Sequence, residues 1–84
     1  MKKYIAQDKT QDTLALIGKR IRSLRKGKGL TQEQLAEQAS INDKEVSHIE
    51  QGRRNITIET LVKIAGALSV EPLELISEGD HSSK

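Results

Sequence analysis

Thr31 to Gly52, TQEQLAEQASINDKEVSHIEQG, is the stretch whose reading decides the fold. It holds two short amphipathic segments separated by Ser40, Ile41 and Asn42. Apolar residues at helical spacing on either side of so short a turn predict a helix-turn-helix unit. Each segment opens on a side chain suited to capping. Thr31 is followed three residues later by Gln34, and Asn42 by Glu45, so each pair can satisfy backbone N–H groups reciprocally as a capping box. Leu35, Ala36 and Ala39 form one apolar stripe, Ile41 sits in the turn, and Val46 and Ile49 form a second stripe. Ala36 is the position at which a larger side chain would hold the two helices apart.

Outward from this core the chain continues to read as helix. Leu14, Ile17, Ile21 and Leu24 recur on one face of a first helix expected over residues 12–26, and Gly27 and Gly29 follow where glycine commonly ends a helix. Arg53, Arg54 and Asn55 make an exposed basic loop after Gly52. Thr57 is placed to cap a fourth helix running through Leu68, and Pro72 suits the first position of a short fifth helix ending at about Ile76. Residues 1–11 are polar apart from Tyr4 and Ile5 and are expected to form a flexible N-terminal arm, and residues 77–84 a frayed tail. No strand pattern or repeat interrupts this order. The expected architecture is an all-α, compact five-helix domain over residues 12–76, with the helix-turn-helix at its second and third helices.

Composition narrows the function. Eighty-four residues make one domain with a small core, which must be aliphatic because the chain has no Phe, no Trp and one Tyr. Without cysteine there is no disulfide or thiolate metal site, and nothing marks an oxidising compartment. No apolar run approaches a membrane span and no signal-peptide core follows Lys2 and Lys3, so a cytoplasmic protein without membrane contact is expected. The net charge of +2 conceals a segregation along the chain. Nine bases and two acids precede Thr31, whereas five bases face ten acids from Thr31 onward. Such asymmetry suits a protein that turns one side to phosphate, although solvated helix faces alone could carry it.

IGKRIRSLRKGKGLTQEQLA, the turn, EVSHIEQGRRN and TIETLVKIAGALSVEPLELI occur in this order from about Ile17 to Ile76, and together they resemble the Cro and lambda-repressor-type (Xre-like) helix-turn-helix family. Small stand-alone regulators, such as the controller proteins of restriction-modification systems, share this architecture. The resemblance implies a lambda-repressor-like fold and a sequence-specific regulator that binds double-stranded DNA through the major groove of a pseudo-palindromic operator. It departs from the family at Ser40, where the turn often has glycine, so mild strain is expected there.

At 100° per residue, Val46, Ile49 and Glu50 fall on one arc of the third helix, and Lys44, Ser47, His48 and Gln51 on the opposite one. The outward set is free to enter a groove. By resemblance, Asp43, Lys44 and His48 occupy the base-reading positions. Lys44 can donate to guanine O6 and N7, and Asp43 can accept from cytosine N4, although an acid in a first helical turn is also favoured by the helix dipole alone. Ser47 shares the outward face. Gln32 opens the second helix, where unpaired N–H groups can meet a phosphate. The resemblance adds Thr31, Asn42, Arg53 and Asn55 as backbone contacts, charge suggests Arg54, and Gln51 completes the phosphate set. Glu50 lies on the inward arc and needs a partner to offset its desolvation. Arg25 matches the family position that supplies one, in a structural salt bridge.

The fourth and fifth helices carry more apolar residues than one buried face requires. Val62, Val70, Leu73, Leu75 and Ile76 are therefore the expected dimer surface, and the family's dimers favour that reading over completion of a small core. No catalytic constellation is present, so an enzyme is not expected and no cofactor is implied. His48 has no second ligand at i+3 or i+4, and His81 lies in the tail, so no metal site is expected. The competing reading is an antitoxin or helical adaptor whose main role is binding a partner protein.

Overall fold

The computed structural model describes residues 8–77 and consists of five helices, with no strand among the described residues. The expectations for Tyr4, Ile5, His81 and most of the terminal arm and tail fall outside the described residues. In order, the elements are α1 (Thr10–Gly27), α2 (Gln32–Ala39), α3 (Asp43–Glu50), α4 (Ile58–Leu68) and α5 (Pro72–Ile76). α2 packs on both α3 and α4, and α1 lies across α3, α4 and α5. The centre is aliphatic. Ile21, Leu35, Val46, Ile64, Leu68 and Leu75 are its largest fully enclosed side chains, so each of the five helices contributes at least one.

The helix starts follow local chemistry. Thr31 Oγ1 accepts from the Gln34 N–H at 3.0 Å while Gln34 Oε1 accepts from the Thr31 N–H at 2.8 Å, completing the capping box. Thr57 Oγ1 accepts from the Thr60 N–H at 3.0 Å, and Pro72 opens α5. Two starts differ from the sequence reading. α1 begins at Thr10 rather than Asp12, because the Asp8 carboxylate accepts from the Thr10 N–H at 2.9 Å and from its hydroxyl at 2.5 Å. The same bonds hold the pKa of Asp8 below the ordinary aspartate value. At α3, Asn42 Oδ1 takes the Lys44 N–H at 2.7 Å, one residue short of the position a capping box uses, so Asn42 and Glu45 do not form the expected reciprocal pair.

Four helix ends share one geometry. Gly29, Ser40, Gly52 and Ser69 all sit at left-handed φ, between 59° and 72°. In each, the following residue donates its N–H back across the last turn: Leu30 to Arg25, Ile41 to Ala36, Arg53 to His48 and Val70 to Ala65, at 2.9–3.1 Å. These bonds are those of the Schellman motif. Gly27 is the last residue of α1 rather than the first beyond it. Ser40 and Ser69 adopt without glycine a conformation that is strained for an L-residue. Ser40→Gly is therefore expected to stabilise the domain by roughly 0.5–1 kcal/mol, the relieved strain being partly offset by the greater freedom of glycine in the unfolded chain. A thermal melt that is unchanged or lowered would contradict this.

The candidate dimer surface requires one correction. Leu75 is 0% exposed, because α5 packs against α1 and α4 with that side chain inward. It belongs to the monomer's own core and cannot face a partner. Val70 and Ile76 are half-buried against the same core. Leu73 is 73% exposed, Val62 48% and Ile58, absent from the sequence-based set, 72%. A five-residue helix is too short for its apolar period to tell Leu73 from Leu75.

Candidate nucleic-acid interface

α3 is held by what lies behind it. Val46 and Ile49 are buried, and α1 approaches so closely at Gly18 that a Cβ there would overlap the Ile49 carbonyl and lie 2.7 Å from the Glu50 carbonyl oxygen. Gly52, which closes the helix, has φ +72° and its own missing Cβ would lie 3.1 Å from the Ala15 Cα. Two glycines, one inside α1 and one just past α3, thus let α1 and the end of α3 touch backbone to backbone.

Glu50 anchors the same end. Arg25 Nε donates to Glu50 Oε2 at 2.6 Å and Arg25 Nη2 to Oε1 at 3.0 Å, with only 10% and 4% of the two side chains exposed. Arg25 Nη1 also donates to the Leu30 carbonyl at 2.8 Å, and the Gln32 amide donates to Glu50 Oε1 at 2.9 Å. One carboxylate therefore ties the end of α1, the start of α2 and the end of α3. Hydrogen bonding to Glu50 raises the Arg25 pKa above the ordinary arginine value, burial works against it, and the carboxylate's charge adds to the rise.

Asp43, at the first position of α3, and Lys44, on its outward face, are exposed, with Ser47 and His48 half-exposed. Gln51, just past the helix, is exposed and its amide donates to Ser47 Oγ at 3.0 Å. Arg53, Arg54 and Asn55 are exposed in the loop that follows. Thr31 and Asn42 are exposed caps, whereas Gln32 is half-buried, with its amide nitrogen engaged by Glu50. The backbone at Gln32 remains at a helix N-terminus, the end that favours anions.

Three features of this arrangement were not readable from the chain: the close approach at Gly18, the Gln32 bond to Glu50, and a 3.3 Å contact between Arg54 Nη2 and His48 Nδ1. Each joins residues whose proximity depends on the assembled helices or on the loop after α3. The only signal for the first is a glycine inside an otherwise amphipathic helix, where it costs about 1 kcal/mol relative to alanine and so implies a packing reason. Among the described residues, no group of three or more His, Cys, Asp or Glu side chains could hold a metal ion, and no helix is long and apolar enough to cross a membrane.

Residues 21–75 match the family model described as Helix-turn-helix. The chain is 38% identical over 71 residues to an uncharacterised HTH-type transcriptional regulator of Sinorhizobium fredii, covering 84% of this chain and 92% of that protein. It is similar to the crystal structure of the restriction-modification controller protein C.AhdI from Aeromonas hydrophila, with 42% identity, a TM-score of 0.72, and coverage of 74% of this chain and 94% of that one. It is also similar to the biofilm master regulator SinR, solved in complex with DNA, with 35% identity, a TM-score of 0.70, and coverage of 73% and 98%. Matched over residues 21–75 by the family model and over most of its length by a 38% identical relative, this chain belongs to the helix-turn-helix family of DNA-binding transcriptional regulators.

Proposed function

We propose that the protein is a sequence-specific regulator that reads a pseudo-palindromic operator as a homodimer, with α3 of each protomer in the major groove. The observation that carries this reading is the division of α3. Val46, Ile49 and the Glu50 carboxylate lock one face to the body, Lys44, Ser47 and His48 occupy the other, and Asp43 is exposed at the first position of the helix. Those four residues are assigned to base edges. Thr31, Gln32, Asn42, Gln51, Arg53, Arg54 and Asn55 surround them and are assigned to phosphates, which set register without reading sequence. The likeness to a regulator solved on DNA supports the ligand.

The two classes should fail differently. Lys44→Ala or His48→Ala is expected to relax preference at particular base pairs, by roughly 1–3 kcal/mol of discrimination each, whereas Arg53→Ala should weaken all sequences alike and reduce the salt slope by about 1. Selection of duplexes from a random pool, repeated with each variant, reads this out. Lys44 and His48 variants that keep wild-type preference while losing general affinity would mean that α3 docks by some other face.

Exposed Ile58, Val62 and Leu73 on α4 and α5 support self-association. Leu73→Glu should convert a dimer into a monomer in sedimentation without lowering the melting temperature of the monomer, because Leu73 lies outside the core. In the dimer the two α3 helices would enter successive major grooves about 34 Å apart. A wild type that sediments as a monomer at micromolar concentration, or a footprint with one unrepeated contact region, would overturn the dimeric part. The cost of a charge at these positions would then fall on a partner protein instead, as for an antitoxin or adaptor.

A further inference from the structure

We propose that Arg54 is a positioning residue that fixes the tautomer of His48 and so decides which base atoms His48 can read. This rests on the reading of His48 as a base contact. Arg54 Nη2 lies 3.3 Å from His48 Nδ1. A guanidinium has only N–H donors and stays charged, so it cannot accept a hydrogen bond. Nδ1 must then be the acceptor in this pair. A neutral imidazole carries one N–H, and with Nδ1 accepting, that hydrogen resides on Nε2.

The consequence is directional. His48 lies on the outward, half-exposed side of α3, and Arg54 lies in the loop after Gly52, beyond the end of the helix. With Nδ1 turned to the loop, Nε2 is the ring nitrogen left to meet the groove, and it meets it as a donor. In the major groove, acceptors are N7 of either purine, O6 of guanine and O4 of thymine, while the amino groups of adenine and cytosine are donors. His48 should therefore prefer a guanine or an adenine N7, or a thymine O4, and reject the cytosine amino edge. The loop conformation that brings Arg54 back over the helix is set by Gly52 at φ +72° and the Arg53 N–H bond to the His48 carbonyl at 3.0 Å. Arg54 has further N–H groups that can meet a phosphate while Nη2 remains on the ring. A single side chain would then link backbone docking to base selection.

The test uses the full chain without DNA and then with it. The nitrogen resonances of His48, separated from those of His81 by the H81Q variant, report which ring nitrogen carries the hydrogen. Wild type should show Nδ1 as the unprotonated nitrogen, and Arg54→Ala should shift the ring toward a mixture. In duplex selection, Arg54→Ala should lower discrimination at the base pair read by His48 by roughly tenfold while leaving preference at the pair read by Lys44 unchanged. Wild-type His48 found with its proton on Nδ1, or a tautomer unaffected by Arg54→Ala, would overturn the proposal while leaving base reading by α3 intact. A uniform loss of affinity in Arg54→Ala, with no change at any one position, would also overturn it and make Arg54 a phosphate contact only. If His48→Ala itself leaves every preference unchanged, the groove assignment of α3 fails and the proposal fails with it.

Discussion

Glu50→Ala is expected to destabilise the domain by about 3–5 kcal/mol, the usual cost of leaving one member of a buried ion pair without its partner. The carboxylate accepts both bonds from Arg25 and one from Gln32. Its loss would leave a guanidinium that is 10% exposed with the Leu30 carbonyl as its remaining partner. For a domain of this size the melting temperature should fall by well over about 10 °C. Glu37→Ala, on an exposed position of α2, should change it little. Equal small losses at Glu37 and Glu50 would show that the pair does not hold the fold. The Arg25 pKa is raised by folding, so its contribution is fully present below the ordinary arginine value and is lost only as pH climbs through the still higher folded value. Raising the pH from neutral to about 10 should therefore leave the Arg25 contribution in place.

Gly18→Ala should be the most damaging single-methyl change, costing about 3 kcal/mol. The new Cβ would meet the Ile49 and Glu50 carbonyls. Those are backbone atoms at the end of a helix and cannot swing aside, so α1 and α3 would have to separate. The loss should appear despite alanine's helix propensity, which alone favours it by about 1 kcal/mol over glycine. Gly66 in α4 supplies the control, because nothing lies within 4 Å of a Cβ there. Gly66→Ala should stabilise by roughly 0.4–1 kcal/mol. The same substitution is thus expected to act with opposite sign at two helical glycines. Urea titration of both variants measures it, and a Gly18→Ala protein as stable as wild type would disprove the close approach. Because α3 carries the side chains proposed to read bases, Gly18→Ala should also weaken DNA binding by tilting that helix.

What the sequence determined by itself was whatever depends on neighbours a few residues apart. The Thr31 and Gln34 capping box spans one turn, and the apolar period of α1 to α4 repeats every three or four residues, so these helices were legible without any tertiary information. The inward arc that places Glu50 beside Val46 and Ile49 is also a property of one helix, and the need of a buried carboxylate for a cation followed from it. Tertiary structure decided the rest. Leu75 and not Leu73 fills the core, because a helix of little more than one turn takes its orientation from α1 and α4 rather than from its own pattern. Gly18 looks like a propensity defect until α3, encoded some 30 residues later, brings two carbonyls against it. The Gln32 amide turns to Glu50 only because α2 and α3 end up side by side, and Arg54 reaches His48 only through the reversal at Gly52. Local hydrogen bonding and periodicity are written along the chain, whereas contact between distant backbones depends on how the helices settle once their shared apolar surface is buried.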